Sequence, residues 1–292
     1  MGSPKPRSSL NSFLRIFRKS PSSMVGVAIV ALFIAMATLG PVLLPFDNTY
    51  YLTKRYQPPS WEHPLGTDFA GRDVLRQVIN GSRDVLLVAF LVGIITTFIA
   101  LVVGISSGMV GGRFDAALMA VTDVFLIIPS FPLLLIIAAS LPRTLSPFEV
   151  AFIISIVGWA GLARSIRAQV LSTREKPFIE AARCLNLSNI HIIFSEIMPN
   201  LLPYIAVSMV YSVTGGVYSQ VSLFFLGILP FTSVNWGMMI NIALYNENAL
   251  INTKAWIYLF SPIVCIVLLQ TGFILSQHAL EEVFNPRLRS EE

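Results

Sequence analysis

Six almost charge-free stretches, at residues 24–46, 85–110, 116–139, 148–162, 201–229 and 256–275, alternate with polar or Pro/Gly-rich joints. Most reach about 20 residues, which as helix at about 1.5 Å per residue cross roughly 30 Å of hydrocarbon. The fourth is the shortest, and it must borrow Leu145 or Ile166 to complete a crossing. The spacing predicts an all-α integral membrane protein with six transmembrane helices. Composition points the same way: 54% of the 292 residues are hydrophobic and 12% charged, about half the charged share of a soluble domain.

Lys and Arg placement gives the orientation, because cytoplasmic flanks carry the excess of positive charge. Lys5, Arg7, Arg15, Arg18 and Lys19 precede the first run with no acid among them. With six crossings, the segment carrying Arg164, Arg167, Arg174, Lys176 and Arg183 falls on the same side. Lys54, Arg55, Arg72, Arg76 and Arg83 lie across the membrane, where long translocated loops obey the rule poorly. Both termini are thus expected in the cytoplasm of a multi-pass cell-membrane protein. The first run exceeds a signal-peptide core, and no small-x-small site follows it. Before it, Leu10, Phe13, Leu14 and Phe17 share one helical face. That pattern suits either a helix lying on the inner leaflet or a basic tail that only sets orientation.

The expected divisions are a basic segment 1–23, a first span 24–46, an external loop 47–84, a five-helix core 85–280 containing a cytoplasmic loop 164–200, and a tail 281–292. Catalytic chemistry finds no footing. Cys184 and Cys265 fall in different compartments, and His63, His191 and His278 are scattered without metal-ligand spacing. No phosphate-cradling Gly-x-x-x-x-Gly-Lys-Ser/Thr occurs, and no nucleophile–base pair presents itself. The net charge of +4 is accounted for by membrane orientation, so nucleic acid is not an expected partner.

Residues 178–199 form a polar island between apolar runs, and they carry helix signals of their own. Pro177 can open a first helix, with Glu180 in its first turn at the positive end of the dipole. Asn186 suits the left-handed residue that ends a helix, Ser188 can cap a second one, and Pro199 is expected to stop it. A helix–turn–helix projecting from a membrane domain is a shape that docks into a partner's groove.

This island resembles the EAA coupling loop of ABC importer permeases, which reads Glu-Ala-Ala, then Gly, then Ile, then a His-x-Leu-Pro-like ending. Glu180, Ala181, Ala182, Ile193 and Pro199 match; Asn186 stands for the Gly, Glu196 for the His and Met198 for the Leu. The resemblance extends along nearly the whole chain, to the C-type permease subunit of dipeptide/oligopeptide importers. It is carried by the signature at 63–73 (His-Pro-Leu-Gly-Thr-Asp-Phe-Ala-Gly-Arg-Asp), by Trp159 and 163–167, by 223–227, by 235–237 and by 285–289. It implies a type I ABC importer permease fold with cytoplasmic coupling helices. It also implies a second homologous permease subunit, two ABC ATPase subunits that hold the ATP and Mg, and an external solute-binding protein. This chain itself would bind no cofactor. Glu180, Ala181, Ala182, Arg183, Asn186, Ile193, Glu196 and Pro199 would then meet an ATPase, with Glu180 facing an arginine, Arg183 a counter-charge, and both alanines giving close approach.

Other positions are read from the residues alone. Gly66 supplies a turn, Thr67 or Asp68 can cap, and Val74, Leu75, Val78 and Ile79 make the stripe of a short amphipathic outer helix. His63, Asp68 and Asp73 lack the ligand count of a metal site. Gly104, Gly108 and Gly112 let backbones approach, within the subunit or against a second one. Pro129 and Pro132 should break or kink the third span. Ser208, Ser212, Gly215, Gly216 and Ser219 recur at helical spacing with Gln220 beside them, either facing a translocation path or making interhelical hydrogen bonds. Asp123, inside the third span, is a further candidate for the path or for a structural pair.

The expected function is a non-catalytic subunit that forms half of the path for di- or oligopeptides. The same machinery carrying oligosaccharides or nickel is the alternative. An ion-coupled secondary transporter predicts inverted repeats and several intramembrane charges. A non-transporting scaffold leaves the island unexplained.

Overall fold

The computed structural model describes residues 21–140, 145–230 and 234–284. Helix α1 spans Pro21–Leu43, α2 Val74–Val110, α3 Gly112–Ile127, α4 Ser130–Ala139, α5 Pro147–Gly158 and α6 Ala160–Arg174. Then come α7 at Pro177–Cys184, α8 at Asn189–Phe225, α9 at Trp236–Asn241 and α10 at Trp256–Phe284. No strand occurs among the described residues. Four helices are long and apolar enough to cross a membrane, and six crossings result if each of two bent pairs is one span. The N-terminal face at 10–19 and the motif at 285–289 lie outside the described residues.

The bundle is built around α2, which packs against α1, α5, α6 and α8. Asp73 caps it by accepting from the Arg76 N–H, and Gly111 at φ 70° ends it. Its 37 residues make a helix about 55 Å long. The short outer helix expected at Val74–Ile79 is therefore the first part of α2, which runs unbroken through the boundary placed at 84/85. Its cap is Asp73 rather than Thr67 or Asp68. The polar run at 80–84 concealed that continuity.

Gly104 and Gly108 give close approach within the subunit. A Cβ on Gly104 would lie 2.6 Å from the Ala163 carbonyl, and one on Gly108 2.8 Å from Val170. Gly112 is the first residue of α3, at φ 59°, and has open space around it. Pro129 breaks the third span as expected: α3 and α4 meet at 86°. The fourth bends by 56° at Trp159 and runs on to Arg174, well beyond Leu162.

Pro199 does not end its helix. The chain passes from Asn189 to Phe225 with a wide π turn at Ile192–Ile197 just before the proline. A π turn re-spaces the hydrogen bonds where Pro199 lacks an N–H and its ring would crowd the carbonyl one turn back. Three apolar clusters stack along α2. One centres on Trp236 and Tyr258, one on Val92, Ile154 and Leu223, and one on Ile166, Ile179, Ile192 and Ile197.

Candidate functional site

The third cluster roots the polar island in the bundle. Ile179 and Ala182 of α7, and Ile192 and Ile197 of α8, are buried against Ala163, Ile166 and Val170 of α6. Pro177 opens α7 and Glu180 lies in its first turn. Asn186 takes φ 57°, with its N–H donating to the Arg183 carbonyl and that of Leu187 to Ala182. Ser188 caps the next helix by accepting from the His191 N–H at 3.2 Å. These local features were legible in the sequence.

The two alanines part company. Ala181 is exposed, whereas Ala182 is 5% exposed and faces the bundle. Ala182 therefore joins the helix pair to α6 and does not form an outer close-approach surface. Glu180, Arg183, Asn186 and Pro199 are exposed, and Ile193 and Glu196 half-buried. Beside them Phe178, Leu185, Ile190 and Phe194 are large apolar side chains left exposed. Their signal was there: large apolar side chains in a polar island, off the face that packs inward. Exposed apolar side chains gathered in a short polar segment suit a protein contact.

Helix α6, which delivers the chain to this island, is tied to its neighbours by arginines. Arg167 grips Asp115 of α3 through two bonds, Nε to Oδ1 at 2.6 Å and Nη2 to Oδ2 at 2.5 Å. Ser107 of α2 also donates to Asp115. Arg164 pairs with Asp123, and Arg174 donates to the Gly108 carbonyl at 3.0 Å. Asp123 thus has a partner 41 residues away, and it does not line the cavity described next.

A cavity of about 470 Å³ opens between α2, α4, α5 and α8. Ser208, Ser212, Gly215, Gly216 and Ser219 line it as one stripe of α8, joined by Ser130, Tyr204 and Tyr211. Val92, Leu134 and Ile154 give it an apolar floor. Thr96 also lines it, and its buried hydroxyl meets no partner among the described residues. The stripe serves packing too, since a Cβ on Gly216 would lie 2.9 Å from Val92. Gln220 is set apart. Fully buried, it donates to Asp84 of α2 at 2.9 Å, and Asn235 donates to the same carboxylate at 2.6 Å. In the sequence Asp84 follows Asn80, Ser82 and Arg83 and so looks like the end of a loop.

At the Val74 end of α2 the signature at 63–73 folds into a plug. Asp68, fully buried, accepts from Arg72 Nε and Gln77 Nε2, each at 2.9 Å, and from the Ala70 N–H at 2.8 Å. Arg72 in turn lies over the Tyr50 and Phe69 rings. His63 Nδ1 meets Asp73 at 2.8 Å. Among the described residues no three His, Cys, Asp or Glu are grouped to hold a metal. Arg174 bonds near the Val110 end, so the plug and the polar island occupy opposite ends of the bundle.

The profile of the family described as binding-protein-dependent transport system inner membrane component matches residues 100–290. That of the N-terminal TM domain of oligopeptide transport permease C matches residues 8–59. The chain is 29% identical over 275 residues to the oligopeptide transport system permease protein OppC of Bacillus subtilis (strain 168), covering 94% of this chain and 88% of that one. It is 31% identical over 283 residues to the OppC protein of Mycobacterium bovis, covering 95% and 94%. It is 31% identical over 274 residues to the probable D,D-dipeptide transport system permease protein DdpC of Escherichia coli (strain K12), covering 93% and 90%. Among solved structures, inward-facing MetNI methionine ABC transporter is similar with a TM-score of 0.54 and 17% identity, covering 70% of this chain and 96% of that one. At that identity the likeness is one of fold.

Proposed function

Because this chain belongs to the family of binding-protein-dependent transport system inner membrane components, we propose that it forms half of the path through which an ATP-driven importer moves di- and oligopeptides. The observation that carries this reading is the helix pair α7–α8, with Pro177 opening the first helix and Ser188 capping the second, rooted in the bundle by Ile179 and Ala182, and with Phe178, Leu185, Ile190 and Phe194 exposed. An apolar group of that kind on a rigid knuckle suits a groove in an ATPase subunit. ATP and Mg belong to two such subunits, and this chain supplies no step of the hydrolysis. A second, homologous permease completes the path, and an external binding protein delivers cargo at the plug end.

The coupling is mechanical. The knuckle must fit one ATPase conformation better than the other, since only differential affinity shifts an equilibrium. Peptide is supported as cargo by the names of the relatives and by the cavity, whose hydroxyls over an apolar floor can meet amide groups. Nickel is disfavoured because the lining offers no carboxylate or imidazole. Both termini are assigned to the cytoplasm, with the knuckle.

The test is reconstitution of the assembled transporter in proteoliposomes. Leu185→Asp with Phe194→Asp is expected to reduce ATPase co-purification and peptide uptake by about tenfold or more, as loss of an interface anchor does. Unchanged assembly and uptake would refute the docking role. Glu180→Ala is expected to lower uptake per ATP hydrolysed, with the membrane fold intact.

A further inference from the structure

Helix α3 is held to the subunit in an unusual way. Of its 16 residues Thr122 alone is buried, so ordinary side-chain packing contributes little to its placement. It contacts α2 and α6, and three specific links tie it to the α6 side. Asp115 takes the two-pronged grip of Arg167, Asp123 pairs with Arg164, and Phe125 meets Trp159 edge to face at 5.4 Å between ring centroids.

The Asp123 and Arg164 side chains are 51% and 52% exposed. Ionic pairs at membrane depth are costly, and an apolar pair would hold two helices at least as firmly. What an ion pair adds is a defined register. The position of the pair gives that register a use. At one end α6 continues into α7, which is rooted by Ile179 and Ala182. At the other, α3 turns through 86° into α4, whose Ser130, Phe131 and Leu134 form a wall of the cavity.

We propose that α3 and α6 travel as one arm, with Asp123–Arg164 as the link and Asp115–Arg167 as the pivot, so that displacement of α7 is delivered through the Ile128–Pro129 corner to the cavity wall. This rests on the importer reading above and adds the positioning residues that carry its motion. Ser107 of α2 shares Asp115, which fixes the pivot to the rod of the bundle. Asp123 has Arg164 of α6 as its ion-pair partner, which leaves the upper part of α3 free to follow α6.

The experiment uses the assembled transporter in proteoliposomes, reading peptide uptake and ATP hydrolysis together. Asp123→Asn and Arg164→Gln are each expected to lower uptake per ATP about tenfold, within the range of coupling between sites, with unchanged amounts of assembled complex. The charge-swapped pair Asp123→Arg with Arg164→Asp is expected to recover most of the loss. On a background carrying Cys184→Ser and Cys265→Ser, whose own uptake is measured first, Asp123→Cys with Arg164→Cys is expected to be uncoupled. A short bis-methanethiosulfonate bridge should restore coupling, and a reductant should abolish it again.

Arrest of uptake by the bridge would show that α3 and α6 separate during the cycle and would overturn the arm. So would normal uptake per ATP in both neutral variants. If the unaltered complex itself fails to couple uptake to hydrolysis, the importer reading fails first and takes the arm with it.

Discussion

Glu247 lies just after the π turn that follows α9, outside the membrane-crossing helices, and is 5% exposed. Burial raises its carboxyl from 4.5 to about 7; the Asp68 carboxylate adds to this, and the Tyr56 hydroxyl and Arg72 guanidinium oppose it. The folded protein thus holds this proton more tightly than the unfolded chain does. Its contribution to stability is full below pH 4.5 and is lost as pH rises through about 7. The loss is at most about 3 kcal/mol. Glu247→Gln, which keeps the shape and drops the charge, is expected to raise the melting temperature of the solubilised protein at pH 8 and to leave it nearly unchanged at pH 5. Equal melting of variant and parent at pH 8 would show that the carboxylate ionises there without cost. The plug below it shows a different arrangement, the buried Asp68 being met by Arg72, Gln77 and two backbone N–H groups.

Among elements, α7 is the most informative because its two faces do different things one residue apart. Ala182→Leu is expected to overpack the joint with α6 and cost about 1–3 kcal/mol, seen as earlier melting and faster proteolysis of the knuckle. Ala181→Leu, on the outer face, should stay within about 0.5 kcal/mol of the parent and instead weaken ATPase co-purification. The reverse pattern would mean that the faces are misassigned. The capping signals of this element were legible because Pro177, Asn186 and Ser188 act on backbone groups a few residues away. Its two faces were not legible, because which alanine turns inward depends on α6, a different stretch of chain. The same limit explains the other misses. Arg167 and Asp115 are 52 residues apart and Gln220 and Asp84 136, and no local pattern announces either pair. The continuity of α2 past residue 84 is hidden in the sequence because Arg83 and Asp84 look like loop residues, whereas in the fold Asp84 accepts from Gln220 and Asn235. Pro199 misled because a proline stops a helix only when nothing re-spaces the hydrogen bonds before it. The stripe on α8 was legible as a stripe, since its hydroxyls and glycines recur at helical spacing, but whether it faces a cavity or a neighbouring helix depends on the packing of α2, α4 and α5.

Across the whole molecule, the plug and the knuckle mark two ends that should lie on opposite sides of the bilayer. Cys184, exposed on the knuckle, is a built-in reporter. With Cys265→Ser in place, a membrane-impermeant maleimide is expected to label it in inside-out vesicles and to leave it unlabelled in right-side-out ones. Labelling from the outside alone would invert the topology and remove the ATPase from reach of α7. The three apolar clusters share α2, and both ionic clusters sit near its tips.

Helix α2 is about 55 Å long against roughly 30 Å of hydrocarbon, so a good part of it must stand clear of the lipid tails. The spacing between the plug and the pivot is therefore written in helical pitch. A thicker or thinner bilayer can shift where the lipid grips this shaft, but it cannot change the interval between its two fittings.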